Sequence, residues 1–193
     1  MKFYLDITLL PDAEANLGFL WQKVYGQLHL ALVEMKNGDG NSEIAVSFPQ
    51  YNEKKFPLGN KLRLLASTQE QLQKFDVAKW LNRLRDYSHW TSIKEVPLSI
   101  DKFARFKRVQ FNTNVERLSR RRLKRKGGSI KQVIKHFDGF KDQKSNLPFV
   151  NMKSLSKNEQ FRLFIEREEV DQAETGDFTC YGLSKTATVP WFK

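Results

Sequence analysis

The hydrophobic period of the first hundred residues changes in a fixed order, and that order limits the folds open to the chain. Phe3, Leu5, Ile7 and Leu9 alternate with polar neighbours until Pro11, the pattern of a strand with a stop. From about Glu14 to Met35 the spacing becomes helical, with Leu17, Leu20, Trp21, Val24, Leu28 and Leu32 in register, and Asn37-Gly38-Asp39-Gly40 ends the run. Ile44, Val46 and Phe48 alternate before Pro49, and Leu62 with Leu64 does so again beyond a polar insertion. Ser67 with Glu70 offers a capping box for a second helical region, broken near Phe75 to Asp76, that runs on through Trp80, Leu81 and Leu84. Trp90 to Val96 reads as a fourth strand. The order β-α-β-β-α-β predicts a ferredoxin-like domain over residues 1–97, a four-stranded antiparallel sheet with two helices on one face.

Past Pro97 the character changes. Arg105 to Phe111 reads as extended chain, and Arg117 to Lys126 follows as RLSRRRLKRK, seven cations in ten residues with no anion. Thr113 with Glu116 makes a capping box and Gly127-Gly128 a stop, so the basic run is predicted as a helix over about 114–126. On a period of 3.6, Arg117, Arg120, Arg121, Lys124 and Arg125 share one broad face, while Val115, Leu118 and Arg122 drift to another. Ile130, Val133, Ile134 and Phe137 mark a short second helix ending at Gly139. Phe149 to Ser154 and Gln160 to Arg167, on either side of a polar turn, read as a β-hairpin. The predicted fold class is α+β in two domains, 1–97 and 98–193.

Charge selects the partner. The chain has 33 Lys and Arg against 22 Asp and Glu, a formal +11, and the basic run, joined by Arg105, Lys107 and Arg108, supplies a disproportionate share. Such density points to a nucleic acid, whose phosphates and guanine edges fit the guanidinium fork better than they fit a lysine. The alternative is a solvated basic face. A membrane partner is disfavoured, because no run approaches a spanning helix and the basic helix lacks a Trp-, Phe- or Leu-rich face. The opening MKFYLDITLL alternates and carries Asp6, unlike a signal peptide. With one cysteine, Cys180, and three histidines, His29, His89 and His136, at no metal-ligand spacing, the expectation is a cytoplasmic, metal-free and cofactor-free protein.

Four segments in order, YGQLHLALV around His29, LPFVNMKSLS around Ser154 and Ser156, FRLFI from Phe161, and FTCYGLSK followed by VPWF, resemble the type I-F CRISPR repeat endoribonucleases of the Csy family. The likeness runs from FYLDITLLPD to Phe192 and takes in Arg108 to Gln110. It implies an enzyme that binds the stem-loop of each CRISPR repeat and cuts at the 3′ base of the stem. The ribose 2′-OH would be the nucleophile and a 2′,3′-cyclic phosphate the product, with the hairpin kept and anchored among the other subunits of a surveillance complex. The resemblance places His29 beside the scissile ribose as base or acid, Ser154 on the 2′-OH, and Tyr181 against the imidazole or the reacting groups. It makes Ser156 an RNA contact and gives Phe161 the place under the terminal base pair.

Without the family pattern each residue has a simpler reading. His29 would face solvent or bond a neighbour such as Tyr25 one turn back, Tyr181 would be a core aromatic, Ser154 a strand hydroxyl, and Phe161 one core face with Leu163 and Ile165. For recognition, the arginines and lysine of the basic run (Arg117, Arg120, Arg121, Arg122, Lys124, Arg125) would hold phosphates, while Arg108 and Gln110 read base edges at about 1–3 kcal/mol each. Two other functions share these residues: a non-catalytic subunit that only binds the RNA hairpin, and a DNA-binding regulator.

Overall fold

The computed structural model describes residues 1–111, 123–125, 146–154 and 158–192. Packing divides the chain into one compact unit of residues 1–109 and 148–193 and a second of residues 110–147. The boundary expected at 97/98 follows chain order, whereas packing joins strands from both halves into the first unit.

That unit is a mixed α+β body with two antiparallel sheets. In chain order it runs β1 (Phe3–Leu9), α1 (Leu17–Glu34), β2 (Ala45–Ser47), β3 (Lys61–Ala66), α2 (Gln69–Phe75) and α3 (Val77–Trp80). A 3-10 turn (Asn82–Tyr87) then leads to β4 (Ser88–Trp90), β5 (Lys94–Glu95), β6 (Phe103–Val109), β7 (Phe149–Lys153), β8 (Gln160–Val170) and β9 (Val189–Pro190). The first sheet has the order β2-β3-β1-β4 with β5 also on β1, and the second the order β7-β8-β6-β9.

Local chemistry sets the element limits. Asn16 caps α1 by accepting from the Phe19 N–H at 3.0 Å. The capping box of α2 lies one residue later than expected: Thr68 and Gln71 cap each other, Gln71 Oε1 also accepting from the Ser67 N–H. Gln and Thr make this box as well as Glu and Ser do, so the sequence admits both registers. The expected break after Phe75 is present, because Asp76 turns to a left-handed φ of 46° and then caps α3. The single strand expected over Trp90 to Val96 is split in two. Thr91 uses its side chain as well as its backbone on Asp6, with Asp6 N–H donating to Thr91 Oγ1 at 3.1 Å, and pairing resumes only at Lys94.

The core joins the two sheets. Leu20, Trp21, Val24, Tyr25, Leu28, Ala31 and Leu32 form the buried face of α1, and β7 of the second sheet packs along that helix. An aromatic chain continues from Trp21 and Tyr25 to Phe48, 5.6 and 6.2 Å away between centroids, and from Phe48 to Phe106 on β6 at 5.3 Å. Removing one such ring costs about 3–5 kcal/mol in a close-packed core. Arg63 is buried on the other face of the first sheet, only 2% exposed. Its Nε and Nη2 donate to the two Asp6 oxygens at 2.6 and 2.9 Å, and its Nη1 to the Phe192 carbonyl at 2.8 Å. The rings of Phe192 and Tyr4 lie 3.7 and 4.6 Å from the guanidinium carbon.

Candidate active site

The site forms where the loop Phe178–Ser184 folds back over α1. β2 and the segment before it hold the loop twice, Ser42 N–H donating to the Phe178 carbonyl at 2.7 Å and Val46 N–H on β2 to the Gly182 carbonyl at 2.8 Å. The second sheet holds it once more, through Ser184 N–H and the Phe106 carbonyl at 2.9 Å. Inside the loop a turn closes with Gly182 N–H donating to the Thr179 carbonyl at 2.8 Å. Gly182 has a φ of +67°, and a Cβ there would collide with Val46 Cγ2, so no other residue lets the loop lie this close to β2.

His29, half-buried on α1, meets this loop. Its Nδ1 lies 2.8 Å from the Cys180 carbonyl oxygen. A carbonyl can only accept, so Nδ1 carries the hydrogen, and in the neutral ring Nε2 is left with a bare lone pair. The Tyr181 ring stacks on the imidazole at 4.2 Å between centroids and 2° between planes. Burial pushes the His29 pKa below the ordinary histidine value; the bond to Cys180 opposes this, and the Arg108 charge adds to it. The balance favours the neutral ring.

Arg108 completes the group. Period-two alternation along β6 puts it on the inward face with Ala104 and Phe106, and its guanidinium carbon lies 4.9 Å from the Tyr181 ring centroid and 5.4 Å from that of Phe161. It makes no ion pair among the described residues. Phe161 shares a face with Leu163 and Ile165, as alternation predicts, yet it is half-buried where those two are fully buried. Arg105 and Lys107 point the other way. Arg105 pairs with Glu168 and Glu174, and Lys107 with Glu168 and Glu166 at 2.9 and 3.5 Å, across the β6–β8 register. The expectation that these two add to the free cationic surface is corrected: glutamates directly opposite on β8 neutralise them.

Ser154 is half-buried just past β7, the strand packed along α1, and its N–H donates to the Glu159 carbonyl at 2.8 Å. Gln110 follows β6 and is exposed. Lys124 and Arg125 are exposed and residues 123–125 are helical, whereas Arg117, Arg120, Arg121, Arg122, Ser156 and the second helix expected after Ile130 lie outside the described residues. No cluster of three His, Cys, Asp or Glu side chains forms among the described residues, and no described helix is long and apolar enough to cross a membrane. Sequence reasoning missed the Cys180 carbonyl and the use of Tyr25, whose hydroxyl donates to the Tyr181 carbonyl at 2.8 Å and not to His29.

An imidazole fixed as a proton acceptor, beside a guanidinium with no carboxylate partner among the described residues, on a basic α+β fold, suits acid–base chemistry on an anionic substrate. A family model described as CRISPR-associated protein (Cas_Csy4) matches residues 4–192, and the chain belongs to that family. Two curated relatives are each called CRISPR-associated endonuclease Cas6/Csy4. The one from Pseudomonas aeruginosa (strain UCBPP-PA14) is 39% identical over 193 residues, covering 100% of both chains. The one from Escherichia coli (strain UTI89 / UPEC) is 37% identical with the same coverage. A solved structure described as an RAMP protein binding different RNA substrates aligns over 98% of this chain and 99% of its own at 10% identity and a TM-score of 0.35, too remote to carry an argument.

Proposed function

We propose that this protein is a metal-independent endoribonuclease that binds the stem-loop of a CRISPR repeat and cleaves at the 3′ base of the stem. The single observation that carries this reading is the His29 imidazole, bonded through Nδ1 to the Cys180 carbonyl and stacked on Tyr181. Its bare Nε2 accepts the proton of the ribose 2′-OH, the 2′-oxygen attacks the adjacent phosphorus, and the bond to the 5′-oxygen breaks, leaving a 2′,3′-cyclic phosphate. The departing 5′-oxygen takes up a proton from water, and the imidazolium gives its own back to solvent. Ser154 fixes the 2′-OH and Tyr181 keeps the imidazole in plane. General acid–base catalysis of this kind supplies roughly 10²- to 10⁴-fold.

Recognition in this reading divides by distance from the cut. Arg108 and Gln110 read the bottom base pairs, Phe161 stacks beneath the last of them, and the basic run with Ser156 holds the RNA backbone. The major groove of A-form RNA is too narrow for side chains along its length but opens at the ends of a short stem, which is where Arg108 and Gln110 would reach it. The antiparallel order β2-β3-β1-β4 with α1 and α2 between its strands supports a ferredoxin-like reading of residues 1–97, and a helical 123–125 supports an arginine-rich helix over about 114–126 in the RNA-binding half. After cleavage the protein stays on the mature hairpin in the cytoplasm and joins the other subunits of a type I-F surveillance complex.

The decisive test is His29→Ala with a cognate stem-loop in EDTA. Cleavage should fall by at least about 10²-fold, with hairpin affinity kept within a few-fold. Cutting at the parent rate would remove His29 from the chemistry, and a parent protein that binds repeat RNA without cutting it would leave only a hairpin-binding subunit.

A further inference from the structure

Two successive backbone carbonyls, those of Cys180 and Tyr181, both turn towards α1. In extended chain neighbouring carbonyls point to opposite sides, so this arrangement exists only because the chain is bent at the Thr179–Gly182 turn. Each carbonyl is gripped by a side chain of the same helix face, four residues apart: His29 Nδ1 on Cys180 at 2.8 Å and the Tyr25 hydroxyl on Tyr181 at 2.8 Å. Tyr25 is 1% exposed and its ring is fixed against Trp21 and Phe48. Its hydroxyl is therefore a donor on a rigid post, and the residue it grips is the one whose ring stacks on the imidazole.

We propose that Tyr25 is a positioning residue for RNA cleavage, holding the Cys180–Tyr181 segment so that His29 keeps its hydrogen on Nδ1 and its face on the Tyr181 ring. The proposal rests on the role of His29 given above. Without the hydroxyl, the Tyr181 carbonyl can turn away, the Cys180 carbonyl loses its aim, and the neutral imidazole gains access to the other tautomer, in which Nε2 bears the hydrogen and cannot accept one. Weakening the Nδ1 bond also removes an influence that raises the His29 pKa, so the acid limb of the rate profile moves to lower pH.

Tyr25→Phe tests this, because it keeps the buried ring and deletes only the donor. Single-turnover cleavage at saturating RNA should slow about three- to tenfold, the effect of one ordinary hydrogen bond, with hairpin affinity unchanged within about twofold. Nitrogen NMR of the imidazole should show a growing fraction of Nε2–H, and the acid limb should shift down, neither of which a purely structural role would produce. A variant with the parent's rate, tautomer and pH profile would overturn the proposal. Run in parallel, His29→Ala separates the two readings: if it cleaves like the parent the chemistry assigned to His29 fails, and if it is inactive while Tyr25→Phe is unaltered only the positioning role fails. Should Tyr25→Phe not fold, the parent still decides. A slowly exchanging Tyr25 hydroxyl proton beside an Nδ1-protonated His29 supports the proposal, and a neutral His29 protonated on Nε2 overturns it.

Discussion

At His29 the environment works against charge. Burial and the Arg108 cation both favour the neutral ring, and the Cys180 bond only partly offsets them. Because the folded pKa is depressed, His29 contributes stability at neutral pH that is lost as pH falls through the folded value, since the unfolded chain binds the proton first. The cleavage rate should rise with pH through a value below the ordinary histidine 6.5 and be flat on that limb above pH 7. Arg108→Ala should raise the His29 pKa, which an NMR titration of the RNA-free protein reads directly; an unmoved pKa would mean that the guanidinium is not felt at the ring. At this scale the sequence exposes side chains and hides backbone. His29 stands out within its motif, but its partner is a carbonyl 151 residues away that any residue type could supply. Tyr25, one turn from His29, looks like its natural partner and instead reaches past it to the loop.

The loop Phe178–Ser184 is the element on which the site depends. Gly182→Ala would bring a methyl group onto Val46 in a backbone conformation that alanine adopts poorly. It should destabilise the fold by about 1–3 kcal/mol, measured by denaturant unfolding, and slow cleavage by more than that loss of folded protein explains. Cleavage at the parent rate per folded molecule would show that the imidazole does not need this loop. The strands and α1 were readable because alternation and helical spacing are properties of a short stretch of chain. The Thr91 side chain that divides the fourth strand, and the glutamates that meet Arg105 and Lys107, act through pairings with distant strands, which no local pattern records.

For the molecule as a whole, the formal +11 is a difference, 33 cations less 22 anions, which internal ion pairs leave unchanged while deciding which cations stay unpaired. Arg63, Arg105, Lys107 and Arg167 are each paired with an internal carboxylate, so in the proposed reading the RNA meets the basic run and Arg108 and not these four. Replacing arginines of the 117–125 face should weaken hairpin binding and flatten the slope of log K against log salt by about 0.7–0.9 for each phosphate no longer neutralised. An unchanged slope would mean that this run faces something other than RNA. Arg63 has another consequence. The third acceptor of its guanidinium comes from Phe192, 129 residues downstream, so during synthesis the first sheet lacks one partner of this cation until Phe192 has been added. A polypeptide that stops short of Phe192 would leave that guanidinium without its last acceptor and without the ring that covers it, an open seam where chaperones and proteases can act.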